Sequence, residues 1–169
     1  MTPDLESNAE RALSGLDART HEPFRVDGFE IERTLCPRDA DDVGHMLSEL
    51  QGSGLGVLVR GGGSAFLQGN LPRRADLVLE TAALSGVDEF DHNDGVMHVL
   101  AGTPLSEVKA AARAEGWELP LDPPDERATL GGVLARAGTG PRELGWGPAR
   151  DCVLGLDVVL PSGVRTHCG

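Results

Sequence analysis

Residues 56–70 read GVLVRGGGSAFLQGN, a short aliphatic run, one arginine and three consecutive glycines, Gly61, Gly62 and Gly63, followed by Ser64. Glycine loses more backbone freedom on folding than any other residue, so a triplet directly after a strand marks a place where the backbone itself is wanted bare. The Walker loop is excluded, because it needs a Gly-Lys pair and the single lysine is Lys109. The GxGxxG fingerprint is excluded too, since Phe66 stands where its third glycine belongs. Two readings stay open on this stretch alone. One is a nest of successive N–H groups turned toward an anion, with charge from Arg60 and a hydroxyl from Ser64. The other is a plain glycine-rich turn between two strands.

On both sides of this stretch strand and helix patterns alternate, as in α/β and α+β layouts. Residues 2–16 pattern as an amino-terminal helix ending near Gly15, and residues 29–37, FEIERTLCP, as a strand stopped by Pro37. Asp39 is placed as an N-cap, Asp41 and Asp42 suit a first turn, and Val43, Met46, Leu47 and Leu50 recur at helical spacing before Gly52. GVLVR and ADLVLE are then the strands on either side of the glycines, completing a β-helix-β-loop-β unit. Farther on, NDG at 93–95 predicts a hairpin. Thr103-Pro104 opens a helix with Pro104 at N1 and Gly116 just past its end. TLGGVLARAG at 129–138 starts a small helix, and residues 151–169 are two antiparallel strands turned at Pro161-Ser162-Gly163.

Composition removes several functions. The chain has 169 residues, 40% hydrophobic and 25% charged, enough for one domain with a core. With 15 Lys plus Arg against 27 Asp plus Glu, the net charge of -12 offers no attraction to nucleic acid or anionic lipid. No signal-peptide pattern and no bilayer-length apolar run is present, so no membrane insertion is expected. Cys36, Cys152 and Cys168 are widely spaced and odd in number, which suits reduced thiols and a cytoplasmic protein. His21, His45, His92, His98 and His167 form neither a metal-ligand spacing nor a Ser-His-Asp arrangement, so no metal is expected.

Three stretches in order, residues 57–81, LSGVDEF at 84–90 and residues 119–164 containing DPPDERATLGG, GPRELGWGPARD and VLPSG, resemble the FAD-binding domain of the vanillyl-alcohol oxidase type, shared with the FAD-linked oxidases. Within that family the likeness is nearest to the FAD-binding subunit of glycolate oxidase and related 2-hydroxyacid dehydrogenases. It covers residues 27–169, leaving residues 1–26 as a helical extension, and family members continue past the position of Gly169. The resemblance implies an α+β fold, a small βαββ lobe followed by a mixed, mostly antiparallel lobe with helices, incomplete at its carboxy-terminal end. It also implies that Arg60, Gly61, Gly62, Gly63 and Ser64 form the seat of the FAD pyrophosphate, with Asn70 at its far edge. Thr129, Leu130, Gly131 and Gly132 would then lie along the ribityl or ring side. Without the resemblance, that second segment is a Pro-stiffened loop entering a helix. A third contact around Gly140, Trp146, Arg150 and Asp151 competes evenly with a surface loop of solvated charges.

Members that tether FAD through histidine commonly carry it at the end of this loop, where Ser64 and Ala65 stand, so the resemblance implies noncovalent FAD. Flavin does the hydride chemistry in such enzymes, and the expected function is the FAD-binding component of an oxidoreductase acting on a 2-hydroxyacid such as glycolate or lactate, with partner oxidoreductase subunits. No base or carboxylate clamp is recognisable, so the isolated chain is expected to be inactive. The alternatives are a shortened, non-catalytic relative serving as a binding or subunit-interaction module, and a flavin-independent domain whose glycines only turn the chain. Gly62→Val is expected to lose FAD affinity with the fold nearly intact, if a ligand is what the missing side chain leaves room for.

Overall fold

The computed structural model describes residues 3–26, 28–66, 68–125, 127–138 and 140–169; residue 27, where the sequence reading starts the flavin domain, lies outside them. In chain order the elements are α1 (Pro3–Ser14), β1 (Ala18–Val26), β2 (Phe29–Leu35), α2 (Ala40–Leu50), β3 (Val57–Arg60), β4 (Leu77–Glu80), β5 (Val87–Asp91), β6 (Val96–Val99), α3 (Leu105–Ala114), α4 (Leu130–Arg136), α5 (Glu143–Trp146), a 3-10 turn (Ala149–Cys152), β7 (Leu156–Val159) and β8 (Arg165–Cys168). They fall into two compact units, the second made of Gly61–Phe66 and Leu84–Leu154 and the first of the other described residues.

The first unit is a four-stranded sheet in the order β1-β2-β4-β3. β4 pairs in parallel with both β2 and β3, the arrangement the β-helix-β-loop-β pattern anticipates. Leu77, Val78 and Leu79 are all buried, because a central parallel strand is covered on both faces. α2 lays Val43, Met46 and Leu50 into this core, and its first turn is held by the Asp39 carboxylate accepting from Asp42 N–H at 2.8 Å. The β7–β8 hairpin belongs to the same unit. A Cβ on Gly44 of α2 would lie 2.8 Å from the Gly163 carbonyl oxygen, and Gly163 has φ +83°, so bare backbone on both sides lets the hairpin turn rest on the helix. Arg165 Nη1 donates to Asp41 Oδ1 at 2.9 Å across the same junction.

The amino-terminal segment departs from the sequence reading. Helix stops at Ser14, and Ala18–Val26, read as part of a helical extension, is a strand paired antiparallel with β2. Its register shifts between Thr20 and Phe24, around Pro23, which breaks the alternation that would have shown a strand. A proline is tolerated there because β1 is the edge of the sheet.

In the second unit, the β5–β6 hairpin turns through Gly95 at φ +67°, and Trp117 Nε1 donates to the His92 carbonyl at 2.8 Å beside it. α3 begins one residue later than predicted, with Pro104 as its N-cap. Leu105, Leu121, Ala128, Val133 and Ala149 form the core, with Leu119, Leu130 and Leu134 packed against it. α4 ends on Ala137 at φ +51°, a left-handed non-glycine cap, while Gly138 N–H donates to the Val133 carbonyl at 2.7 Å. The left-handed conformation costs an L-residue about 1–2 kcal/mol, and glycine's extra freedom in the unfolded chain offsets about half of the gain from removing it. Ala137→Gly should therefore stabilise the protein by about 0.5–1 kcal/mol, seen as a rise in melting temperature of roughly 2–3 °C by circular dichroism. A lowered melting temperature would mean the cap is not strained.

Candidate functional site

The glycine loop is seated on the segment that enters α4, and both belong to the second unit. That segment is pinned from two sides. Leu105 N–H donates to the Ala128 carbonyl at 2.9 Å, and Leu130 N–H to the Thr103 carbonyl at 2.9 Å, bridging Pro104 and Thr129. Gly131 N–H donates to the Ala101 carbonyl at 2.8 Å, and a Cβ on Gly131 would come 2.7 Å from the Ala101 methyl. Before it, Arg127 bonds Asp125 through Nε at 3.1 Å, Nη2 at 2.7 Å and its backbone N–H at 2.9 Å. These bonds hold the Asp125 carboxyl down to about 2.

Against this segment the loop packs backbone to backbone. A Cβ on Gly61 would overlap Thr129 Oγ1, and one on Gly62 would overlap the Arg127 carbonyl oxygen. The expectation for Gly62→Val is therefore corrected: protein, not open space, stands where its side chain would go, so the fold does not stay intact. Gly63 is left-handed at φ +73°, and its carbonyl accepts from Phe66 N–H at 3.3 Å to close the turn. Among the described residues, the N–H groups of Gly61, Gly62, Gly63, Ser64 and Ala65 donate to no protein acceptor. Successive unpaired donors around a left-handed glycine make an anion-binding concavity.

The other predicted residues take varied places. Arg60 belongs to the first unit, where its register partner across β3–β4 is Glu80, and Nη1 donates to Glu80 Oε2 at 2.8 Å. Its charge thus has a carboxylate counterpart. Asn70 is exposed and belongs to the first unit as well. Thr129 is the N-cap of α4, 4% exposed, its hydroxyl oxygen accepting from Gly132 N–H at 3.3 Å. Leu130 faces the core, while Gly132 is exposed at the first turn. Gly140 approaches Asp122 so closely that a Cβ would overlap its carbonyl and carboxylate. Trp146 is 65% exposed, and Arg150 sits 3.5 Å from Asp151 at the surface. The roles of Arg127, Ala101 and Thr103 at this segment leave no mark in the sequence, because they act through backbone carbonyls that every residue carries.

The sequence profile of the FAD binding domain family matches residues 31–169. The chain belongs to that family. The resemblance to the vanillyl-alcohol oxidase type is borne out, and FAD is the cofactor of this domain. The chain is 31% identical over 168 residues to the mitochondrial D-2-hydroxyglutarate dehydrogenase of Bos taurus, covering 94% of this chain and 31% of the relative. It is 32% identical over 147 residues to the D-lactate dehydrogenase of Archaeoglobus fulgidus, covering 87% and 32%. It is 28% identical over 164 residues to the glycolate oxidase subunit GlcD of Bacillus subtilis, covering 95% and 34%. The chain thus spans about a third of the length of these relatives. Among solved structures, chitooligosaccharide oxidase superposes with a TM-score of 0.74 at 20% identity, covering 98% of this chain and 37% of that one. A Physcomitrella patens BBE-like protein does so with 0.75 at 17%, covering 95% and 37%. Both show the same α+β fold.

N–H groups without acceptors among the described residues suit a group whose oxygens only accept, as those of a phosphate do. No helix among the described residues is long and apolar enough to cross a membrane. Among the described residues, no group of His, Cys, Asp and Glu is arranged to hold a metal ion.

Proposed function

We propose that residues 61–65 seat the FAD pyrophosphate and that the domain serves a flavoenzyme oxidising a 2-hydroxyacid such as D-lactate, D-2-hydroxyglutarate or glycolate. The observation that carries the first part is the row of five backbone N–H groups that have no acceptor among the described residues, braced from behind by residues 127–129. Donors held in place before the ligand arrives cost little reorganisation on binding, and they do not depend on side-chain charge in a chain of net charge -12. The substrate class is proposed from the names of the relatives.

When bound, FAD supplies the hydride-accepting ring. The role proposed for this chain is to bind and orient: the loop takes the pyrophosphate, Ser64 adds a hydroxyl, and Thr129, Gly131, Gly132 and Gly140 lie toward the remainder of the cofactor. The base for the hydroxyl proton and the cation for the substrate carboxylate are proposed to come from outside the described residues or from partner oxidoreductase subunits. Three free cysteines suit a reducing compartment, for which cytoplasm remains the proposed location.

The protein purified or reconstituted with FAD should be yellow, with a flavin absorption band and quenched flavin fluorescence. Since neither a histidine nor a cysteine stands at the end of the loop, where Ser64 and Ala65 are, acid precipitation should leave the FAD in the supernatant. Flavin retained in the denatured pellet would refute noncovalent attachment. A folded, colourless protein that leaves added FAD fluorescence unchanged would refute the seat itself.

A further inference from the structure

Resting on the reading of residues 61–65 as the pyrophosphate seat, we infer that Thr129 is a positioning residue for that loop, its hydroxyl locking the loop and the start of α4 into one arrangement. Two roles meet on one oxygen. Thr129 Oγ1 accepts from Gly132 N–H at 3.3 Å, satisfying a donor of the first helical turn. The same atom occupies the space that a side chain at position 61 would need, since a Cβ on Gly61 would overlap it. Thr129 is itself held, 4% exposed, with its neighbours Ala128 and Leu130 bonded into the α3 entry. Gly61 therefore packs against an atom that cannot swing away without uncapping α4. The loop's donors take their direction from this contact.

The geometry separates position 61 from position 62. The Thr129 Cβ and Cγ2 lie 3.5 Å from the Cβ that Gly61 lacks, an ordinary contact, so only the hydroxyl oxygen excludes a methyl there. At Gly62 the obstacle is the Arg127 backbone carbonyl, which no side-chain replacement removes. A damaging Gly61→Ala should thus be suppressed by removing Oγ1, whereas Gly62→Ala should not be.

The test compares FAD dissociation constants, by quenching of flavin fluorescence, and melting temperatures of the FAD-free proteins. Losing the cap in Thr129→Ala should weaken FAD about fivefold, and Thr129→Ser, which keeps the oxygen, should bind within about twofold of the wild type. Gly61→Ala should weaken FAD by about thirtyfold or more. Gly61→Ala/Thr129→Ala should return to the level of Thr129→Ala alone, binding FAD more tightly than Gly61→Ala. Gly62→Ala/Thr129→Ala should show no such recovery. If Gly61→Ala does not fold, recovery of a cooperative melting transition in the double variant reads the same coupling. A double variant no better than Gly61→Ala in either readout overturns the inference, as does a Gly61→Ala that binds like the wild type. Wild-type protein that fails to bind FAD would instead overturn the pyrophosphate seat, while the melting temperatures would still report whether Gly61 and Thr129 are coupled.

Discussion

Gly62→Ala should weaken FAD binding by about 100-fold and also lower the melting temperature of the FAD-free protein. The methyl would overlap the Arg127 carbonyl oxygen, with the Ala128 nitrogen behind it at 3.6 Å. Neither can move easily. The Ala128 carbonyl accepts from Leu105 N–H at 2.9 Å, and Arg127 is tied to Asp125 by three hydrogen bonds. A flexible side chain in the way would yield at little cost, but this backbone is held to the start of α3 through the Ala128 carbonyl, so the loop itself has to lift. Forcing one methyl into a packed site of this kind costs about 3 kcal/mol, which is about 100-fold in affinity if the displaced loop is the seat. Because the clash is with protein, the cost is paid without ligand too, as a fall in melting temperature of roughly 6–12 °C. Calorimetry with and without FAD distinguishes the two origins. Affinity lost at an unchanged melting temperature would show that the missing side chain leaves room for the ligand after all.

Thr103→Val should destabilise the protein by about 2–3 kcal/mol although it changes almost nothing in shape. Thr103 is fully buried at 0% exposure, and its hydroxyl accepts from Gly86 N–H at 2.9 Å while facing the carbonyls of Leu100 at 2.7 Å and Gly86 at 3.1 Å. The two carbonyls keep other partners, since Leu100 O also accepts from Thr103 N–H at 3.1 Å and Gly86 O from Leu100 N–H at 3.0 Å. The half-buried Gly86 N–H loses its acceptor, and a donor left unsatisfied away from water costs more than the bond it made. Thermal denaturation should show a drop of roughly 5–10 °C, with Thr103→Ser, which keeps the hydroxyl, well above it. Equal melting temperatures for the two variants would mean that the hydroxyl does not hold this turn.

The amino-acid order settles those contributions that act over a few residues. Asp39 caps α2 and Val43, Met46 and Leu50 form its buried face, as helical spacing and capping chemistry require. The turn at Gly95 and the hairpin turn at Gly163 are legible for the same reason, because glycine at these places meets a local backbone demand. The ordered recurrence of the glycine loop, TLGG and PSG was enough to identify the family. Even the edge strand β1 was missed locally, because Pro23 interrupts its alternation while its partner β2 supplies the pairing. What the glycines face is set by contacts between segments far apart in the chain. Gly61 meets Thr129 and Gly62 meets Arg127, residues far along the chain, and the contacts are made by a backbone carbonyl and by a hydroxyl already used as a cap. Arg60, attractive on paper as a phosphate cation, is drawn to Glu80 because the parallel register of β3 and β4 sets the two side by side. Close approach of bare backbone leaves no side-chain pattern, only the absence of a side chain, and an absence in the sequence does not say which neighbour requires it.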